Sequence, residues 1–290
     1  MSDIVPDHVR VILLFLTVVS FLPQCRKLRV HPTSDGISVY YVLANLIVAT
    51  ELLAISFSFL VNGRFEGSDI FVNDPPTTGD NINIVQLALV CLLWLIIFVD
   101  CLAYPSPSNA ARFQNAVTVY VGFLLVSVVP LLLDALSIGA LFIDARDKDH
   151  RWLLALFRRL HLSFINPVMP VVGFSALCFQ AREILSRPTT SRAGALSLSG
   201  LALQAVVFDL LAVSWMGRLV FPWKQLVLPD EGDLQKVYRL ARMWYELGGF
   251  VAVDNAILAL VQASVLLLSV CRGSTKPSTR ETQPLLGNRM

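Results

Sequence analysis

Seven stretches of the chain are almost continuously apolar: approximately residues 6–24, 38–62, 82–104, 116–143, 165–185, 195–221 and 245–271. A helix needs about 20 such residues to cross the hydrocarbon of a bilayer, so the pattern predicts seven transmembrane helices. The fourth stretch is long and holds Pro130 and Asp134, which predicts a kink or a tilt. The fifth is interrupted by Pro167 and Pro170. Connections are short except at 63–81, 144–164 and 222–244. Segment 63–81 is acidic and rich in turn residues, and reads as an irregular loop. Segment 144–164 mixes charge with apolar residues. It reads either as an interfacial helix with Trp152 and Phe157 at headgroup depth or as a ragged start to the fifth span.

Composition agrees with this pattern. Of 290 residues, 55% are hydrophobic and only 15% charged, and the mean hydropathy is +0.65. Soluble domains carry roughly a quarter charged residues, so an all-α polytopic membrane protein is expected. The net charge of +2 and the lack of a basic patch interleaved with aromatics argue against nucleic acid. No P-loop, GxGxxG or HExxH occurs. The five cysteines form no CxxC pair, so neither a metal site nor a disulfide framework is expected, and with no cofactor fingerprint no cofactor is expected either. Cys25 and Cys271 stand beside basic residues at span edges and are candidates for acylation. The acidic start, with no small-residue cleavage site after the first apolar run, reads as a retained span.

Over the whole chain, Lys and Arg divide almost evenly between the two sides. The first hairpin does not. Loop 25–37 holds Arg26, Lys27 and Arg29, whereas 63–81 sets one arginine against Glu66, Asp69, Asp74 and Asp80. Early spans usually dominate the positive-inside bias. The expected orientation is N-terminus lumenal and C-terminus cytosolic.

The chain also repeats itself. Shifted by about 158 residues, "ELLAIS" at 51–56 falls on "DLLAVS" at 209–214, Gly36 on Gly194 and Ala44 on Ala202. Shifted by about 156, "FLPQCRKL" at 21–28 falls on "LCFQAREI" at 177–184, pairing Gln24 with Gln180. Spans one to three therefore match spans five to seven in the same sense across the membrane, with span four as linker. This 3-1-3 arrangement predicts a first repeat over 1–104, a linker over 105–163, a second repeat over 164–271 and a polar, disordered cytosolic tail over 272–290.

The stretch "LPQCRKLRVHPTSDGIS" resembles the signature of the PQ-loop repeat family, which includes SWEET-type sugar transporters, cystinosin-like proteins and vacuolar cationic amino-acid exporters. The resemblance covers about residues 10–270. Its first motif is Pro23-Gln24, a basic turn, then Ser34, Gly36 and Ser38; the second has Phe179-Gln180 in place of Pro-Gln. It implies hinges at Pro23 and Gln24 in span one, with Gln180 as the echo in span five and Pro170 as a substitute for the missing proline. It also implies an endomembrane carrier, in vacuoles or lysosomes, with an aspartate of the last span linked to protons; Asp254 matches in placement.

Ionisable groups within spans are costly and mark a pathway or a partner. Glu51 in span two, its repeat mate Asp209 in span six, Asp254 in span seven and Asp134 in span four are the candidates. A carboxyl taken out of water holds its proton more tightly, which suits proton coupling; neutral acids stitching helices together are the alternative. Asn45, Gln86, Gln204, Asn255 and Gln262 are candidates for a polar path or for interhelical hydrogen bonds. Trp94 and Trp215 lie deep enough to face a solute. In the tail, Glu281, Leu285 and Leu286 form an acidic dileucine pattern of the kind that clathrin-adaptor proteins read.

The leading expectation is a transporter, not an enzyme. It would move a small polar solute, an amino acid among the candidates, coupled to protons by alternating access of two three-helix bundles. Two readings stay open beside it. One is a membrane-embedded enzyme of the seven-span terpene-cyclase type, using Glu51 and Asp254 as acid and base. The other is a receptor or sorting protein that transports nothing.

Overall fold

A computed structural model describes residues 5–61, 71–73, 75–105, 110–132, 155–186, 194–218 and 233–274. Seven of its helices are long and apolar enough to cross a membrane. They are α1 (Asp7–Val30), α2 (Val39–Val61), α3 (Thr78–Ala103), α4 (Ala110–Ser127, apolar on to Leu132), α5 (Ala155–Ser186), α6 (Leu198–Arg218) and α7, whose parts are Asp233–Trp244, Tyr245–Gly249 and Phe250–Ser274. Asp134, Trp152 and the tail residues Glu281, Leu285 and Leu286 lie outside the described residues.

Several boundaries differ from the apolar pattern, each for a local reason. α1 does not stop near Pro23 but runs through it to Val30. One proline removes a single N–H from the ladder, and Arg26, Lys27 and Leu28 are good helix formers. Lys27 and Arg29 therefore sit in the last turn, where positive charge complements the helix dipole. α3 begins at Thr78, ahead of the apolar run, because a capping box sets its start. The Thr77 hydroxyl accepts from the Asp80 N–H (3.3 Å), and the Asp80 carboxylate accepts from the Thr77 N–H (2.8 Å).

Helix α5 is the ragged start, and it begins well before residue 165. Its N–H ladder widens to a π-turn at His161–Ile165 and tightens to a 3-10 turn at Asn166–Val168 before regular α-helix resumes at Met169. Pro167 and Pro170 supply no N–H, so the ladder must rearrange here. Pro170 cannot donate to the Asn166 carbonyl; that oxygen takes the N–H of Met169 and the hydroxyl of Tyr245 (3.0 Å) from α7. The buried positions of α5 are 157, 161, 166, 169, 173, 176 and 180. All steps are three or four except the step of five from His161 to Asn166, which is the π-turn. The extra residue keeps one continuous seam facing inward. Helix α7 carries its own π-turn, at Tyr245–Gly249.

The packing has an exchange rule. α3 lies between α1 and α2, and α7 lies between α5 and α6. Across the middle, α1 packs on α6 and α2 on α5. Swapping α1 with α5, α2 with α6 and α3 with α7 returns the same set of main contacts. α4 packs on α2 and has no counterpart. The chain is thus a seven-helix membrane protein of two triples with matching contacts and a linker helix. Lipid offers little hydrophobic drive for helices to associate, so close packing and interhelical hydrogen bonds must hold them. Phe21 meets Trp94 and Phe208 edge-on, at 5.3 and 6.1 Å between ring centroids. Phe71 stacks on Phe59, Trp215 and Phe250 nearer the other face.

Candidate functional site

Gln24 and Gln180 stand near the C-terminal ends of α1 and α5, and both are buried. Gln24 donates from Nε2 to the Ala195 carbonyl (3.0 Å), and its Oε1 accepts the Ser197 N–H (2.7 Å). Gln180 donates from Nε2 to the Gly36 carbonyl (2.7 Å), and its Oε1 accepts the Ser38 N–H (3.0 Å). Each glutamine therefore closes the loop that opens the second helix of the other triple. The Ala195 N–H also donates to the Asp35 carbonyl (2.7 Å), joining the two loops directly. Gly36 (φ 96°) and Gly194 (φ 53°) hold left-handed backbone at the two equivalent bends. Gln24 is thus not spent on the carbonyl that Pro23 frees in its own helix. The Phe179-Gln180 echo keeps the same bonds without a preceding proline. Pro170 lies ten residues before Gln180, about 15 Å along the helix, next to the 3-10 turn rather than at the level of Pro23.

An open groove of about 880 Å³ flanks this end, lined by Pro23, Arg26, Lys27, Arg29, His31 and Ser199 among others. Lys27 donates to the Leu196 carbonyl (2.7 Å), and Arg29 lies 3.4 Å from Asp100.

The candidate chemistry sits toward the opposite face. Glu51, on α2, has no exposed surface. Both its carboxylate oxygens meet Nδ1 of His161, at 2.7 and 2.9 Å. Ser127 of α4 lies beside it. The imidazole is also wholly buried and stacks on Phe157 at 4.0 Å. Asp254, on α7, is 1% exposed, and among the described residues neither carboxyl oxygen has a hydrogen-bond partner. It lies within electrostatic reach of Glu51, as does Tyr245, whose hydroxyl binds Asn166. One acid thus comes from the first triple, and an acid and an imidazole come from the second. All are enclosed where α2, α5 and α7 meet, beside both π-turns. Such turns gather at functional sites.

The remaining candidates separate. Asp209 does not join Glu51: it lies on the exposed outer face of α6, between Val206 and Val213. The physical reason is cover. Ser127 of α4 and the early turns of α5 that carry His161 lie over Glu51; among the described residues α6 has no counterpart of α4, and α1, the counterpart of α5, begins only at Asp7. Asn45 and Asn255 are buried and donate to carbonyls one turn back, Tyr41 (2.7 Å) and Val251 (2.7 Å). Gln204 lines a void of about 10 Å³ with Gln24, Tyr41 and Trp94, room for one water at most. Gln262 accepts from the Tyr41 hydroxyl, tying α7 to α2. Gln86 accepts from Arg218 (2.8 Å). Trp94 and Trp215 are fully buried in the aromatic packing rather than facing an open path.

His161 and Tyr245 belong to this centre, yet the sequence does not single them out. His161 sits in "RRLHLSF", outside the apolar run, so its helix is not visible by hydropathy. The signal that could have found it is spacing. Phe157 and His161 extend the inward seam of α5 once the step of five is allowed.

No protein-family model, curated protein or solved structure matches the chain.

Proposed function

We propose that the chain is a transporter of the PQ-loop repeat type, moving a small polar solute across a vacuolar or lysosomal membrane with proton coupling through Glu51, His161 and Asp254. The observation that carries this reading is the Glu51–His161 pair, fully buried and spanning the two triples. With one proton between them, the two groups hold together either as carboxylate and imidazolium or as acid and imidazole. A second proton leaves a neutral carboxyl facing an imidazolium: the carbonyl oxygen can still accept the N–H, but the charge attraction that drew the two groups together is lost. Proton uptake then loosens α2 from α5, which is where the triples must part. A ligand or proton shifts such an equilibrium only by binding its two states differently, and this pair does so by construction.

The two faces supply the gates. At the Gln24 end, four glutamine bonds and the Ala195–Asp35 bond hold the loops together. At the other end, the stack of Phe59, Phe71, Trp215 and Phe250 fills the space between the triples. Alternating access opens one closure while the other stays shut. Arg26, Lys27 and Arg29 favour a cytosolic Gln24 end, and the tail pattern Glu281, Leu285, Leu286 fits sorting by adaptor proteins.

The test is solute uptake by the purified protein in liposomes, across a broad panel of amino acids and sugars, under a pH gradient of either sign. Uptake driven by the gradient is expected for at least one polar solute. Asp254→Asn and Glu51→Gln should each abolish the dependence on the gradient while the protein still folds. Gradient-independent uptake in the parent protein sinks the proton coupling, and no uptake of any solute sinks the transporter. The nearness of Glu51 and Asp254 also suits an acid-base pair of the cyclase type. Turnover of an epoxidised prenyl substrate would favour that reading instead.

A further inference from the structure

Far from the Gln24 end, two arginines are buried between α1, α3 and α6. Arg10, in the second turn of α1, is 1% exposed, and Arg218, the last residue of α6, is 4% exposed. They lie within electrostatic reach of each other. Arg10 is held by the Val5 carbonyl (3.2 Å) and lies 3.8 Å from Asp7. It packs so closely on Gly79 of α3 that a Cβ there would collide with its guanidinium.

Arg218 is held differently. Its Nε donates to the Ser214 hydroxyl (2.9 Å), and one terminal nitrogen donates to Asn83 Oδ1 and Gln86 Oε1 (2.8 Å each). The ring of Trp215 lies 4.8 Å from the guanidinium carbon. All these partners are neutral, so they orient the charge without cancelling it. Among the described residues, no carboxylate pairs with Arg218. Among the described residues, its second terminal nitrogen, Nε2 of Gln86 and Nε1 of Trp215 are buried donors without partners. A buried cation without a counter-charge is strongly disfavoured. A guanidinium fork with open N–H groups is the usual means of binding carboxylates and other anions.

We propose that Arg218, Gln86 and Trp215 form a site for a compact monovalent anion, a carboxylate or a halide. The site joins helices of both triples, α3 of the first and α6 of the second. It shares no residue with the Glu51 centre and does not depend on the transport reading.

Trp215 makes the site observable. The full-length protein in detergent, with gluconate as a bulky background anion, is titrated with iodide while tryptophan fluorescence is followed. A saturable quenching component is expected, absent in Trp215→Phe and weakened at least tenfold in Arg218→Gln. Acetate displacing the iodide would identify a carboxylate site, and displacement by chloride alone a halide site. Should Arg218→Gln fail to fold, Gln86→Glu sets a built-in carboxylate beside the guanidinium. It should remove the saturable component and raise the unfolding temperature. Quenching that stays linear in iodide overturns the proposal. So does a saturable component whose affinity is unchanged in folded Arg218→Gln, or one that survives in Gln86→Glu.

Discussion

Gln24 and Gln180 lie 156 positions apart and make the same two bonds, each to the loop of the other triple. Gln24→Ala should leave the Ala195 carbonyl and Ser197 N–H without their partner, and Gln180→Ala the Gly36 carbonyl and Ser38 N–H. Each loss should cost about 1–3 kcal/mol, read as a lower unfolding temperature in detergent. Because the Ala195–Asp35 bond links the two loops, the double variant should lose less than the sum of the singles. Simple additivity would show that the two closures are independent.

Removing one member of a buried hydrogen-bonded pair is worse than removing both. Glu51→Gln and His161→Leu alone should each destabilise by about 1–3 kcal/mol. The double variant should recover part of that loss, and a double-mutant cycle measures the coupling. A coupling energy near zero would mean that the 2.7 Å contact holds nothing.

The two equivalent glycines should not respond alike. Gly194, at φ 53°, sits in the left-handed well that alanine enters at a cost of about 1–2 kcal/mol. Gly36, at φ 96°, lies beyond that well, so Gly36→Ala should cost more. Asparagine tolerates the left-handed well better than alanine, so Gly194→Asn should be the mildest of the three. Unfolding temperatures of the three variants check the order.

Thr77→Ala removes the hydroxyl that accepts from Asp80 at the start of α3. The expected loss is about 1 kcal/mol, seen in hydrogen exchange as earlier fraying of the first turn of α3 than of its last.

The seven spans were legible because each had to be apolar for most of a membrane's thickness, whatever it packs against. The repeat was legible because Glu51 and Asp209 sit in near-identical hexapeptides. The fate of that pair was not. Whether an acid is enclosed depends on which helices cover its face, and the cover on α2 comes from α4 and α5, which no local pattern around residue 51 encodes. Helix ends were misread wherever polar chemistry extended them, as at Lys27 and Thr77. His161 was hidden for the related reason that its helix begins among charged residues. Gln24 was legible as special, but its partners lie about 170 positions away, beyond any local argument about Pro23.

The step of five in the inward seam of α5 has a mechanical meaning. A π-turn is an α-helix carrying one residue too many. That surplus can pass along the ladder by exchanging one set of hydrogen bonds for the next, without unwinding the helix. Each residue it passes is turned by about 100° about the axis. Moving the surplus toward the N-terminus past His161 would swing the imidazole off Glu51 while Gln180, fifteen residues beyond Ile165, kept its grip on Gly36 and Ser38. The helix is built as a screw with one loose thread, and the thread lies beside the buried Glu51–His161 contact.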